Sequence, residues 1–132
     1  MIGKLPENVL EAVLETIPLE ISVLDENDKV LGWNKHDTRT FKRPEAVIGR
    51  NVRDCHPKKS VHKVEQILED FKQGNKDKAR FWIEMHSDDG KQRVLIEYYA
   101  LRDSDGNYVG CLEASQNITE IQALEEEKRL LD

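Results

Sequence analysis

The chain has 132 residues, room for one compact domain with a single core and too few for two. Charged residues make up 35% and hydrophobic ones 38%, as in a folded domain with a charged surface, and a net charge of −6 without a dominant basic block argues against a nucleic-acid groove. No apolar run approaches the roughly 20 residues needed to span a bilayer. The N-terminus M-I-G-K-L-P-E-N lacks a secretory pattern.

Two cysteines, Cys55 and Cys111, do not make a disulfide framework. A cytoplasmic location, with no membrane insertion and no nucleic-acid partner, is therefore the expectation. Residues 6–17 place Val9, Leu10, Val13, Leu14 and Ile17 at helical spacing, with Pro6 at the opening and Pro18 at the close. The spacing predicts an amphipathic helix that docks its apolar face on something. I-S-V-L-D-E-N-D-K-V-L-G-W-N then reads as a hairpin, with strands at Ile21–Leu24 and Val30–Trp33 around an acidic turn.

Residues 34–50 are polar and turn-forming, with a short helical stretch from Pro44 to Ile48 stopped by Gly49. Ser60 reads as the N-cap of a longer helix. Its apolar stripe is Val61, Val64, Ile67, Leu68 and Phe71, and Gly74 ends it. Three strands follow. The first alternates Phe81, Ile83 and Met85 against Arg80, Trp82, Glu84 and His86; S-D-D-G and D-S-D-G-N turn the chain into the next two. Turns this short require antiparallel neighbours. In the last segment Ile121, Leu124, Lys128 and Leu131 are spaced as a coiled-coil seam, predicting a helix to Asp132. The pattern runs up to the final residue, so a segment of a longer protein is expected.

This order resembles a PAS domain over nearly the whole chain. The resemblance rests on three patterns in the right order: Leu10 to Asn34, ending in Trp-Asn; P-E-A-V-I-G-R-N-V; and N-I-T-E from Asn117 to Glu120, where the family usually has Asp-Ile-Thr-Glu. The run Cys55-His56-Pro57-Lys58-Lys59-Ser60-Val61-His62-Lys63-Val64-Glu65 is similar to a C-H-P-x-K-S-V-H motif. That motif belongs to the C-terminal PAS domain of uncharacterised prokaryotic proteins that often carry a hemerythrin-like domain. The resemblance implies an α+β fold, a five-stranded antiparallel sheet with helices on one face and flanking terminal helices. It divides the chain into a flanking helix (1–18), a PAS core (19–117) and the start of a signalling or coiled-coil helix (118–132). It also implies a sensory module of a larger protein that binds a small ligand between helices and sheet, pairs as a homodimer and relays a signal to a neighbouring domain. A ligand-free PAS scaffold for dimerisation is the alternative, and a small Cys/His-dependent enzyme is a remote third.

The cluster from Gly49 to His62 decides which chemistry is open. G-R-N-V-R looks like the Gly-Arg-Asn-Cys-Arg of flavin-binding light sensors, but Val52 stands where their thiol does, so flavin adduct chemistry is not expected. A haem iron would need an imidazole or thiolate. At about 100° per residue, His62 falls nearly opposite the Val61/Val64/Leu68/Phe71 stripe, whereas His56 is free to turn inward with Cys55 beside it. The expected cofactor-binding positions are therefore His56, Cys55, Val64, Leu68 and Phe71, with His56 and Cys55 as candidate haem-iron ligands ahead of His62. His56 could equally serve only to hydrogen-bond within its loop. The spacing does not suit a zinc site. The sequence does not name the cofactor. No base, orienting group or oxyanion loop is placed to make Cys55 a nucleophile, so no catalytic residue is assigned.

Overall fold

A computed structural model describes residues 1–131; Asp132, the end of the predicted last helix, lies outside the described residues. Helix α1 (Glu7–Thr16) precedes strands β1 (Glu20–Asp25) and β2 (Val30–Trp33). Two short 3-10 turns, Glu45–Val47 and Val52–Cys55, lead into α2 (Lys58–Gln73). Strands β3 (Lys78–Ser87), β4 (Gly90–Arg102) and β5 (Tyr108–Asn117) and the single turn α3 (Thr119–Gln122) complete the chain.

The five strands form one antiparallel sheet in the order β2-β1-β5-β4-β3. The predicted hairpins β1–β2, β3–β4 and β4–β5 are all present. The join that makes one sheet of them is β1 against β5, with Ser22 opposite Glu113 and Leu24 opposite Cys111. Gly110 permits this close passage, because a Cβ there would collide with the Leu24 carbonyl oxygen.

Period-two alternation gives the sheet two unlike faces. Val94, Ile96 and Tyr98 of β4, Cys111 of β5 and Leu24 of β1 point to the side where α2 docks Val64, Leu68 and Phe71, and these residues form the core. Phe71 is completely buried. Gly74 ends α2 in the left-handed conformation, at φ +76°, as its position after the apolar stripe predicts.

Three expectations need adjustment. Helix α2 begins at Lys58 with Pro57 as its cap, two residues before Ser60, whose amide donates to the Pro57 carbonyl at 2.8 Å. Pro57 stands just outside the helix with extended backbone (φ −58°, ψ 143°), and no side chain caps the first turn. The docking helix α1 is present, but Val9, Leu10, Val13 and Leu14 remain 36–44% exposed, so its apolar face is only partly covered. Within the described part of the predicted C-terminal helix, only Thr119–Gln122 is helical. Leu124, Leu130 and Leu131 are exposed and bury nothing. A short helix without a packing surface does not repay its nucleation cost. No helix of the described residues is long and apolar enough to cross a membrane.

Candidate functional site

Between α2, the 41–57 segment and the inner face of the sheet lies a cavity of about 1050 Å³. Its walls are mainly apolar: Phe41, Val47, Val64, Ile67, Phe81 and Ile96. Phe81 and Ile83 come from the edge strand β3 and are 38% and 36% exposed, so the cavity opens on that side. Behind it a void of about 10 Å³, room for one water at most, is lined by Leu24, Val30, Val52, Leu68 and Cys111. Arg43, Tyr98 and Glu113 line both spaces and form the polar partition between them.

Each partition residue is held by a different element. The β4–β5 register sets Tyr98 directly opposite Glu113. Burial, with the Glu113 carboxylate next in effect, pushes the Tyr98 hydroxyl far above the usual phenol range, so it remains a neutral donor. Arg43 Nη2 donates to Glu113 Oε2 at 3.1 Å, and both side chains are more than four-fifths buried. Arg43 Nε is buried and has no partner among the described residues.

Arg43 owes its position to a second arginine. Arg39 is 3% exposed and lies under the loop that carries Phe41 to Arg43. Its guanidinium donates to the carbonyls of Phe41 (3.0 Å), Ile21 (3.1 Å) and Asn34 (3.0 Å) and to Ser22 Oγ (3.3 Å). Glu20 accepts the amides of Thr40 and Phe41 from the other side. Burial lowers the Arg39 pKa, with the nearby Glu20 carboxylate opposing, and the residue stays charged.

The 49–55 run is clipped to the first hairpin. Gly49 N donates to Val30 O, Val30 N to Arg50 O and Val52 N to Asp28 O. Val52 therefore faces the core at 4% exposure and lines the inner void rather than the cavity. Arg53 binds both Asp28 (2.9 Å) and Glu65 of α2 (2.9 Å), while Lys72 reaches the same Asp28 oxygen at 2.7 Å. This network fixes α2 against the hairpin.

Among the predicted site residues, Cys55, His56 and Val64 line the cavity. Leu68 lines only the inner void, and Phe71 lines neither space, lying wholly within the core. His62 is exposed and borders a separate groove of about 440 Å³, with Gln66, Asp70 and Lys76, as its helical phase requires. His56 Nδ1 lies 3.1 Å from Val52 O, and Cys55 Sγ is 3.9 Å from Asn51 O. These neighbours thus engage separate carbonyls. The described residues hold no group of three or more His, Cys, Asp or Glu placed to bind a metal ion.

Arg43, Tyr98, Glu113 and Arg39 were not singled out from the sequence. Glu113 did leave a signal: it is the one charged residue of β5, set between Leu112 and Ala114.

The two thiols should differ in reactivity. Cys111 is 1% exposed, and burial pushes its pKa up to about 12. At mildly alkaline pH, Ellman's reagent should titrate Cys55 in the native protein and Cys111 only after denaturation. Equal rates would contradict the packing of β5 against β1.

The PAS domain family matches this chain over residues 10–119. Among solved structures, a C-terminal domain from Streptococcus mutans is 31% identical, with a TM-score of 0.85 and coverage of 95% of this chain and 94% of that one. The PAS domain of BvgS from Bordetella pertussis is 17% identical, with a TM-score of 0.62 and 88% of each chain covered. The VqmA dimer of Vibrio cholerae is 19% identical, with a TM-score of 0.63 over 94% of this chain and 56% of that chain; VqmA is also known bound to DPO. No curated protein matches the chain in sequence.

Proposed function

The chain belongs to the PAS domain family, and from that premise we propose that it is a cytoplasmic, non-catalytic sensory module of a larger signalling or regulatory protein. A small ligand enters the cavity between α2 and the sheet, and the module pairs with a second copy and relays occupancy to a neighbouring domain. The observation that carries this reading is the cavity itself: open, largely apolar, of ligand size, with a few convergent polar groups. The Streptococcus mutans relative is a C-terminal domain, which supports placing this one behind another domain. The C-H-P-x-K-S-V-H run points to a hemerythrin-like neighbour.

The relay follows the strands. β4 and β5 supply Ile96, Tyr98 and Glu113 to the cavity, and their far ends hold the exit to α3. There Ile118 N donates to Arg93 O (2.8 Å), Arg93 N donates to Thr119 Oγ1 (2.8 Å), and Asn117 Oδ1 accepts the Thr119 amide (3.0 Å). Asn117 therefore serves the junction without the charge of the usual aspartate. A ligand that favours one strand packing over another shifts this exit. For pairing, the exposed residues of α1 and Trp82, 61% exposed on the opposite sheet face, offer apolar surface, and VqmA, of like fold, forms a dimer.

Haem is the second reading, and one feature favours it. With its proton on Nδ1, toward Val52 O, His56 would have its Nε2 lone pair free and could hold a haem iron from the cavity wall. Bound haem would supply gas or redox sensing. Protein purified with added haem and examined by absorption and by mass spectrometry of extracted small molecules tests both readings. A Soret band lost in His56→Ala and kept in His62→Ala supports haem; a co-purifying organic molecule without that band supports a different ligand. Neither signal, in a protein that still sediments as a dimer, leaves the ligand-free scaffold.

A further inference from the structure

The polar groups of the cavity are not evenly charged. Lys42, Arg43 and Lys63 line it against a single carboxylate, Glu113, in a chain whose net charge is −6. A cationic, apolar-walled recess in an acidic protein concentrates anions. Its arginine is also half-used. Nε and Nη2 form one edge of the guanidinium fork, the edge that takes a carboxylate in two parallel bonds. Glu113 accepts only from Nη2, and Nε is left buried and unpartnered among the described residues. A buried donor in this state calls for an acceptor. Phe81, Ile83, Ile96 and Ile67 offer that acceptor's carrier an apolar bed.

We propose that this cavity takes a small amphipathic monocarboxylate, aryl or alkyl, whose carboxylate is received by Arg43 and whose body lies against the β3–β4 wall. The inference rests on the reading of the cavity as a ligand site. One negative charge is preferred to two because Glu113 stands beside the acceptor position and repels the second. Lys63, at the mouth on α2, adds attraction at longer range. Glu113 thereby becomes a competitor for Arg43, not a ligand contact, which gives the proposal a sign that a neutral ligand would reverse.

The test uses isothermal titration of the whole chain with benzoate, phenylacetate, 4-phenylbutyrate, octanoate and decanoate, each beside its primary amide. At least one acid should bind at least about 10-fold more tightly than its amide. Arg43→Gln should abolish that preference and Arg43→Lys should keep part of it. Glu113→Gln should strengthen acid binding roughly 10-fold by releasing the fork. Lys63→Gln, at an exposed position where folding is not at stake, should weaken the acid about 3-fold and leave the amide unchanged. Amides binding as tightly as acids, or acid binding weakened by Glu113→Gln, would overturn the carboxylate assignment and leave the cavity as a ligand site. Failure of every acid and every amide to bind would overturn both.

Discussion

Phe71→Ala should be the most damaging single truncation in the chain, lowering stability by about 3–5 kcal/mol and the Tm by roughly 10–20 °C. Phe71 is wholly buried at the C-terminal end of α2, against a core that draws on four strands. The helix has few other anchors of that size: Val64 and Leu68 are smaller, and its remaining positions are exposed or half-buried. The backbone is committed at the same point, since Arg102 Nη2 donates to the Phe71 carbonyl at 2.6 Å. Urea unfolding followed by circular dichroism measures the loss. Trp82→Ala, a larger truncation at a 61% exposed site, should stay within about 0.5 kcal/mol in the monomer. Similar losses at both positions would mean that α2 is not docked as described.

Arg39→Met should cost about 2–4 kcal/mol, because it leaves the Phe41 and Asn34 carbonyls without the guanidinium donor and the 41–43 loop without its anchor. The four acceptors belong to β1, to Asn34 at the end of the first hairpin, and to the loop itself. Methionine fills the volume but satisfies none of them. Arg39→Lys should recover little, since one ammonium cannot span acceptors arranged for a planar fork. A functional consequence follows from the same contacts. Phe41, Lys42 and Arg43 all line the cavity, so a ligand of Arg43 should lose affinity in Arg39→Met although Arg39 never touches it. Limited proteolysis across residues 35–43, with titration of the best-binding acid, separates the two effects. Unchanged cleavage and unchanged affinity would show that the loop holds its shape without Arg39.

Much of the fold could be read locally. The stripe Val64, Leu68 and Phe71 identified the buried face of α2, and the same phase put His62 outside, where it lies. Gly49, Gly74 and the acidic turns fell where the chain reverses or a helix stops. The candidate site was half legible. Cys55, His56 and Val64 were named and line the cavity; Leu68 and Phe71 were named on the same stripe but lie too deep. Helical phase tells which face is buried, yet not whether a buried residue meets another side chain or open space. The last helix was over-read for a related reason. A seam of four positions describes a helix that needs a partner, and none of the described residues covers it.

The sequence by itself determined the succession of elements, their inner and outer faces and the family resemblance, because capping, turn chemistry and side-chain periodicity act over a few residues. Only the tertiary structure decided that β1 lies against β5, that Arg39 secures a loop from beneath, and that residues 43, 98 and 113 meet at the floor of one cavity. Those contacts join segments up to 70 residues apart. No local pattern records such meetings, since they depend on the whole sheet having closed and on the register with which it did so.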